Sequence, residues 1–349
     1  MMTPEIWIDV VTTVLPSGKR RGQKLIGEHW LTTRLDLLLR STLCFLAISY
    51  SLFFAGGSSA WGEPSAPSKD KGRASFHIEV QDAQGTRIAG SDVKTTSVTK
   101  NSAALVFNHK YQPGDRIIFG GSQRLAVRLD ENMPECVVYL PNSDRQNASY
   151  EIPYGREEKQ TGSAYAPESF AGEFHRVVVR ALNKHELAGR HNLALNPCDL
   201  RQVEEATIQL FPHASTNSVS RSLFDFEARN AIDGITKNGH HGVWPFQSWG
   251  PQLRTDLWWK VDFGRSVELN KIRLMVRADF PHDSYWKSAY VEFSDGSHVS
   301  IQIGPTAVFQ DFSFKKRRVS WFRVANLVPA DSSRWCSFIE VEAWGRERP

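Results

Sequence analysis

Short runs of alternating apolar and polar residues, separated by turn residues, make up most of the chain after about residue 74. In the first half, residues 76–80, 104–107 and 116–119 alternate in this way, and a Gln-Pro-Gly-Asp turn occupies 112–115. A period of two is typical of half-buried β-strands, and strands at this spacing indicate an antiparallel sandwich or barrel. We therefore predict a β-rich, sandwich-like domain over residues 74–200.

The same alternation resumes after about residue 203 and continues to the end of the chain. The predicted strands of this half are residues 257–263, 271–276, 289–293, 298–303, 319–324 and 338–344. Residues 188–197 break the pattern and are predicted to join the two domains, so that the second domain covers 201–349. The predicted fold class is all-β, with two domains in series.

The N-terminal 60 residues have a different character. Residues 41–57 carry no charge, basic residues precede them, and Ser58-Ser59-Ala60 follows. Such an order is typical of a secretory signal peptide. The basic region is longer than usual, so an uncleaved membrane anchor and a buried core helix stay open as alternatives. Residues 1–60 are thus a predicted extension, 61–73 a linker, and the expected location is secreted, periplasmic or cell-surface.

Composition narrows the class of protein. The chain has 349 residues, 41% hydrophobic and 23% charged, which suits two soluble globular domains. A net charge of +4 is too small at this length to indicate a nucleic-acid partner. The four cysteines match no metal-binding spacing, and Cys44 lies in the apolar segment. The other three allow one disulfide, for example Cys136–Cys198 with Cys336 left over, but the sequence does not decide the pairing.

Residues 228–250 contain an Asp233-Gly234 turn followed by two tryptophans, Trp244 and Trp249. Eight of the eleven tryptophans fall in the last 106 residues. Loops seldom keep large apolar residues in water, so this loop is predicted either to bind a ligand or to cap a core. Both tryptophans are candidate platforms for a ligand.

An ordered set of motifs runs through the second half: His213-Ala214-Ser215, residues 228–234, Trp249, residues 258–264, 271–274 and 339–345. This order resembles the discoidin, or coagulation factor V/VIII C-domain, family. That family is also called galactose-binding-domain-like and includes bacterial carbohydrate-binding modules and fucose-binding lectins. The resemblance covers roughly residues 202–347. It implies a jelly-roll β-sandwich of eight strands that binds a glycan with loops at one end.

The resemblance also implies a structural calcium ion near the Asp-Gly turn. Asp233 stands at the matching position, Glu340 matches the acidic residue before the final Trp-Gly, and Asn238 adds an amide oxygen. Calcium binds six to eight oxygens from carboxylates and carbonyls, so these residue types are suitable. The alternative is that Asp233 only caps its own turn.

A candidate sugar site lies directly after a predicted strand, where Arg277, Asp279, His282 and Asp283 fall within seven residues. A sugar needs an aromatic platform and planar groups that hydrogen-bond two hydroxyls at once. Arg277-Ala278-Asp279 looks like the Arg-x-Asp motif of the fucose-binding lectins. The alternative for Arg277 and Asp279 is a surface ion pair.

Two other positions of the lectin motif differ. Gln252 stands where its histidine would fall, and Ser284 where a basic residue would stand. Fucose specificity is therefore not predicted.

The sequence contains no G-x-S-x-G elbow, P-loop, H-E-x-x-H or dinucleotide fingerprint. We therefore predict an exported, non-catalytic protein whose partner is a glycan or polysaccharide. One alternative is attachment to a membrane surface or a protein partner. The other is a glycoside-processing enzyme that uses Asp279 and Asp283 as its acids.

Overall fold

The computed structural model of the protein describes residues 76–90, 97–141, 147–154, 161–201 and 210–347. The predicted extension at 1–60, its apolar segment 41–57 and the linker at 61–73 lie outside the described residues. Within the described ranges, no helix is both long enough and apolar enough to cross a membrane.

The described residues of the first half form nine strands: β1 (His77–Gln81), β2 (Arg87–Gly90), β3 (Ser97–Val98), β4 (Ser102–Asn108), β5 (Arg116–Gly120), β6 (Arg124–Arg128), β7 (Cys136–Tyr139), β8 (Asn147–Glu151) and β9 (Phe174–Ala181). They form two antiparallel sheets, in the orders β2-β1-β5-β8 and β3-β4-β9-β6-β7. Alternate residues such as Ile78, Leu105 and Ile117 are completely buried, which is the pattern of a sheet with one face on a core. The predicted β-strand content of this half is confirmed.

A short helix, α1 (Lys184–Ala188), follows β9. Asn183 caps it by accepting from the backbone N–H groups of His185 and Glu186, and Glu186 bonds back to Asn183.

In the second half, the part of the chain that the structure describes forms seven strands: β10 (Arg190–Asn192), β11 (His213–Thr216), β12 (Trp258–Val276), β13 (Trp286–Phe293), β14 (His298–Gln302), β15 (Gln310–Pro329) and β16 (Phe338–Arg346). They form one antiparallel sheet in the order β10-β16-β12-β15-β13-β14, with β11 also paired to β12. The family resemblance implied eight strands, and the described residues contribute seven to this sheet. The all-β prediction is confirmed.

Strand β12 is the centre of this second sheet. Its first part pairs with β11 and β15, and its second part pairs with β15 and β16. Register shifts between Asp262 and Val267 and between Leu269 and Lys271 interrupt the ladder. Such bulges bend and twist a strand. The bent strand can therefore follow the curve of the sheet around a single core, which contains Trp249, Trp259 and Phe322.

Residues 190–201, together with Leu210, contribute to both cores. Strand β10 pairs with β16, and Leu193 and Ala194 lie in the second core. Cys198 and Leu210 lie in the first core, and Cys198 forms a disulfide with Cys136 of β7. This pairing is one of those that the sequence left open, and Cys336 is free and buried. A cut between residues 200 and 201 would divide both cores.

Candidate functional site

Three loops meet at one end of the second sandwich: residues 236–256, 277–285 and 329–337, here called the loop face. Ala278 N–H donates to the Asn238 carbonyl (2.9 Å). Ser284 N–H donates to the Trp335 carbonyl (2.7 Å). Backbone hydrogen bonds therefore connect the middle loop to both of its neighbours.

A buried ion pair lies beneath the loop face. Arg277 and Asp283 are 3% and 2% exposed. The Arg277 Nε and Nη2 atoms both donate to the Asp283 carboxylate, Nη2 over 2.8 Å, and Nη1 donates to Ser248 Oγ (3.4 Å). Arg277 and Asp283 thus support the loop rather than offer their charges to a ligand. The alternative surface ion pair between Arg277 and Asp279 is wrong, because the guanidinium points at Asp283.

Asp279 instead lies among three histidines. Its Oδ2 atom is 3.3 Å from His241 Nδ1, 3.9 Å from His282 Nδ1 and 4.0 Å from His240 Nδ1. The rings of His241 and His282 are parallel, with centroids 4.7 Å apart. Partial burial and the nearby Arg277 guanidinium lower the pKa of His241. The structure therefore brings Asp279 and His282 together, as the sequence predicted, and adds two histidines to them.

The two tryptophans predicted as platforms have different surroundings. Trp249 is completely buried, stacks on Trp286 with centroids 5.3 Å apart, and exchanges backbone hydrogen bonds with Phe338. Its platform assignment is wrong, because its ring caps the core. Trp244 is half-buried, and its backbone N–H donates to the Ser163 carbonyl of the first sandwich (2.9 Å). A binding role for Trp244 stays a prediction.

Two other aromatic rings are open to solvent on the loop face, and the sequence analysis did not single them out. Phe280 and Trp335 are each 39% exposed. Arg334, next to Trp335, donates to the Pro281 carbonyl and so links their two loops. The sequence signal for Trp335 was its position directly after the polar run Asp331-Ser332-Ser333-Arg334.

A small cavity of about 140 Å³ opens beside these loops. Gln252, Arg254 and Arg334 provide planar polar groups on its wall, and Leu257 and Trp286 are among its apolar residues. One water occupies roughly 30 Å³ in the liquid, so the cavity accepts a group no larger than a small ring. Gln252 thus lies at a ligand-sized cavity, although it interrupts the lectin motif.

The predicted calcium residues Asp233 and Glu340 form a buried carboxylate pair. Burial raises the pKa of Asp233 to about 6. Burial and the Asp233 charge also raise the pKa of Glu340. Asp233 Oδ1 accepts from Ile235 N–H (2.8 Å), and Glu340 Oε2 accepts from Gly234 N–H (3.2 Å). The turn-capping role of Asp233 is therefore present.

Gln247 completes this cluster. Its Nε2 atom donates to Asp233 Oδ2 (2.7 Å), and its buried Oε1 atom finds no hydrogen-bond partner within the described part of the chain. Two carboxylates and a free amide oxygen are the hard donors that calcium prefers, so these residues fit the ion. The Asn238 side-chain Nδ2 atom donates to the Ala307 carbonyl (2.6 Å), and the Asn238 backbone carbonyl accepts from Ala278 N–H. A calcium role for the Asn238 side-chain oxygen stays a prediction.

A larger cavity of about 690 Å³ is lined by Glu340 and Gly234 and lies on the side of α1 and β16. Its wall includes Glu340, Glu186 and Glu342. Arg180 binds Glu186, and Arg273 binds Glu342, both as ion pairs. Arginine side chains therefore neutralise Glu186 and Glu342. Glu340 differs from both in that burial and the Asp233 charge raise its pKa.

No family model matches the chain, and no curated protein matches it. Among solved structures, the chain is similar to chitosan-binding module 1 of a chitosanase/glucanase from Paenibacillus sp. IK-5, with 23% identity, a TM-score of 0.31, and coverage of 44% of this chain and 99% of the module. A Streptococcus pneumoniae fucose binding module shows 16% identity, a TM-score of 0.33, and coverage of 48% of this chain and 100% of the module. The lectin domain of lectinolysin, complexed with Lewis B antigen, shows 18% identity, a TM-score of 0.31, and coverage of 45% of this chain and 98% of that domain.

Proposed function

We propose that the protein is a non-catalytic carbohydrate-binding protein whose ligand binds at the loop face. One observation carries the proposal: the exposed rings of Phe280 and Trp335 lie on loops that also present Asp279, His282 and Arg334. An aromatic face packs against the C–H groups of a sugar, while planar polar groups bind its hydroxyls.

The buried pair of Arg277 and Asp283 supports this function indirectly. It joins the two ends of the loop that carries Phe280 and His282, and both its side chains are almost completely buried. A loop held in one conformation loses less conformational entropy when a ligand binds. The cavity at Gln252 and Arg254 would accept one ring or substituent of the ligand beside this loop.

A glycan array followed by affinity electrophoresis of the full chain tests the proposal. Replacing Phe280 and Trp335 by alanine is expected to weaken retardation by about tenfold each, because stacking on a desolvated aromatic ring is worth roughly 1–1.5 kcal/mol. Phe174→Ala is the matched control, since Phe174 is an exposed ring in the first sandwich. A folded protein that no glycan retards would contradict the proposal.

Export forms part of the proposed function. The disulfide between Cys136 and Cys198 supports it, because such bonds persist mainly in oxidising compartments. Cell fractionation and N-terminal sequencing of the mature protein test this directly. Cleavage near Ser58-Ser59-Ala60 is expected for a signal peptide, retention of residues 41–57 in the membrane fraction for an anchor, and a soluble uncleaved cytoplasmic chain would contradict export.

Attachment to a membrane surface is the second candidate. Leu253 is 47% exposed and stands with Phe280 and Trp335 among the apolar residues of the loop face. Apolar loop tips can also enter a lipid interface. Liposome sedimentation with and without anionic lipid distinguishes the two functions, because a glycan-binding face leaves the protein in the supernatant.

A further inference from the structure

Two adjacent histidines and one carboxylate converge on the loop face. His241 Nδ1 lies 3.3 Å from Asp279 Oδ2, and His240 Nδ1 lies 4.0 Å from the same oxygen. The ligand atoms of these three side chains all lie within 4.8 Å of one another. A tetrahedral zinc ion with bonds of about 2.0–2.1 Å separates its donors by roughly 3.3 Å. One of the observed distances already has this value, and the others require only modest contraction.

The loop that carries the histidines can make that adjustment. Gly239 and Gly242 flank the pair, and no heavy atom lies within 4 Å of a Cβ built at either glycine. The side chain of His240 is 63% exposed and that of Asp279 is 29% exposed. Both side chains can therefore rotate towards a shared ion without disturbing the core.

The chemistry of the donors favours a borderline transition metal rather than calcium. Imidazole binds zinc, copper or nickel as the neutral base. The Asp233 and Glu340 pair, by contrast, offers oxygen atoms alone.

A second triad, formed by Asp279, His282 and Asp283, is geometrically comparable. Its Asp283 carboxylate, however, already accepts two hydrogen bonds from the buried Arg277 side chain. Binding a cation there would require breaking that ion pair. His282 therefore stands beside the first triad as a neighbour, and not as one of its three ligands.

The geometry points to a zinc-type metal site formed by His240, His241 and Asp279, with the remaining coordination position open to water or a ligand. Three protein ligands and one open position are the usual arrangement of zinc sites that exchange their fourth ligand. This inference does not rest on carbohydrate binding, because its probe is the metal ion alone.

Isothermal titration of the full chain with Zn²⁺ tests the site, with excess Ca²⁺ present to occupy the oxygen-only carboxylate pair. We expect saturation at one equivalent. The double variant His240→Ala, His241→Ala should weaken binding by about 100-fold or more, since even the loss of an outer-shell partner costs 10–100-fold. His298→Ala, which removes an exposed histidine from β14, should leave the affinity unchanged.

Two further measurements complete the test. Cobalt substituted for zinc should give the visible absorption of a tetrahedral nitrogen and oxygen site, without the charge-transfer band that a Cys336 thiolate would cause. Binding that disappears in His282→Ala but persists in the His240, His241 double variant would overturn the assignment. So would a folded wild-type chain that binds no Zn²⁺.

Discussion

Arg277 and Asp283 form a two-point ion pair across the five residues between them, and both side chains are almost completely buried. A charge at this depth is tolerated only when its partner is present. The pair therefore fixes the loop that presents His282 and Phe280, and its loss has a predictable cost.

Asp283→Ala is expected to lower the free energy of unfolding by about 3–5 kcal/mol, because it leaves the Arg277 guanidinium buried without a partner. Denaturant titration measures this. Asp279→Ala is the matched control on the same loop, and we expect a change of less than about 1 kcal/mol because this carboxylate is partly exposed. Equal losses in the two variants would show that the buried pair has no special role.

Trp249→Ala should lower the free energy of unfolding by about 3–5 kcal/mol, because it leaves a cavity beneath Trp286 and Phe338 in the second core. Trp335→Ala removes a ring of the same size from the loop face and should lower the free energy of unfolding by only about 0.5 kcal/mol. Thermal unfolding of both variants checks the contrast. A stable Trp249→Ala protein would place this ring outside the core.

Calcium should stabilise the protein through Asp233, Glu340 and the free Gln247 oxygen. At a free concentration of 100 times the Kd, a ligand that binds only the folded state adds about 2.7 kcal/mol. We expect a chelator to lower the Tm of the wild-type chain. In Asp233→Asn the chelator should have little effect, and an unchanged wild-type Tm would argue against the site.

The same carboxylates predict a pH dependence in the presence of a chelator. The pKa of Asp233 is about 6 in the folded state against an ordinary 3.8, so the folded state binds more protons between these values. The free energy of unfolding should then fall as the pH rises from about 4 to about 6. Burial raises the pKa of Glu227 to about 7, which extends the fall. Equilibrium unfolding of Asp233→Asn should show a shallower slope.

Reduction of the disulfide between Cys136 and Cys198 should destabilise the protein. The bond closes a separation of 62 residues, and disulfides of this kind contribute roughly 2–4 kcal/mol, mainly by restricting the unfolded chain. Denaturation with and without a reductant measures the difference. The Cys136→Ser, Cys198→Ser double variant should unfold at the lower denaturant concentration with and without the reductant. Because this variant retains Cys336, the comparison separates loss of the disulfide from an effect of the reductant on Cys336.

The strands were predictable because alternation reports directly which face of a sheet is buried. Trp258-Trp259 shows this on β12, where Trp259 is buried and Trp258 is partly exposed. The disulfide was among the pairings that the cysteine positions allowed. The bulges of β12 and the shared segment between the two cores depend on contacts distant in sequence, which a local pattern does not contain.

The site was predicted less well, for a physical reason. The segment from Arg277 to Asp283 was correctly chosen as chemically rich, but sequence does not show which charges are neutralised internally. Arg277 and Asp283 neutralise each other, whereas Asp279 stays accessible to His241. In the same way, an aromatic residue in a loop can cap a core, as Trp249 does, or face solvent, as Trp335 does.

Residues 190–201 and Leu210 contribute to both cores, and this sharing should determine how the two halves of the molecule unfold. Strand β10 must leave β16 before the second core can open, and Cys198 holds the same stretch of chain to β7. The two sandwiches form one compact unit over the described part of the chain. A calorimetric scan should therefore show a single endotherm, and a C-terminal fragment beginning at residue 201 should be insoluble, whereas one that begins before β10 retains the missing edge strand.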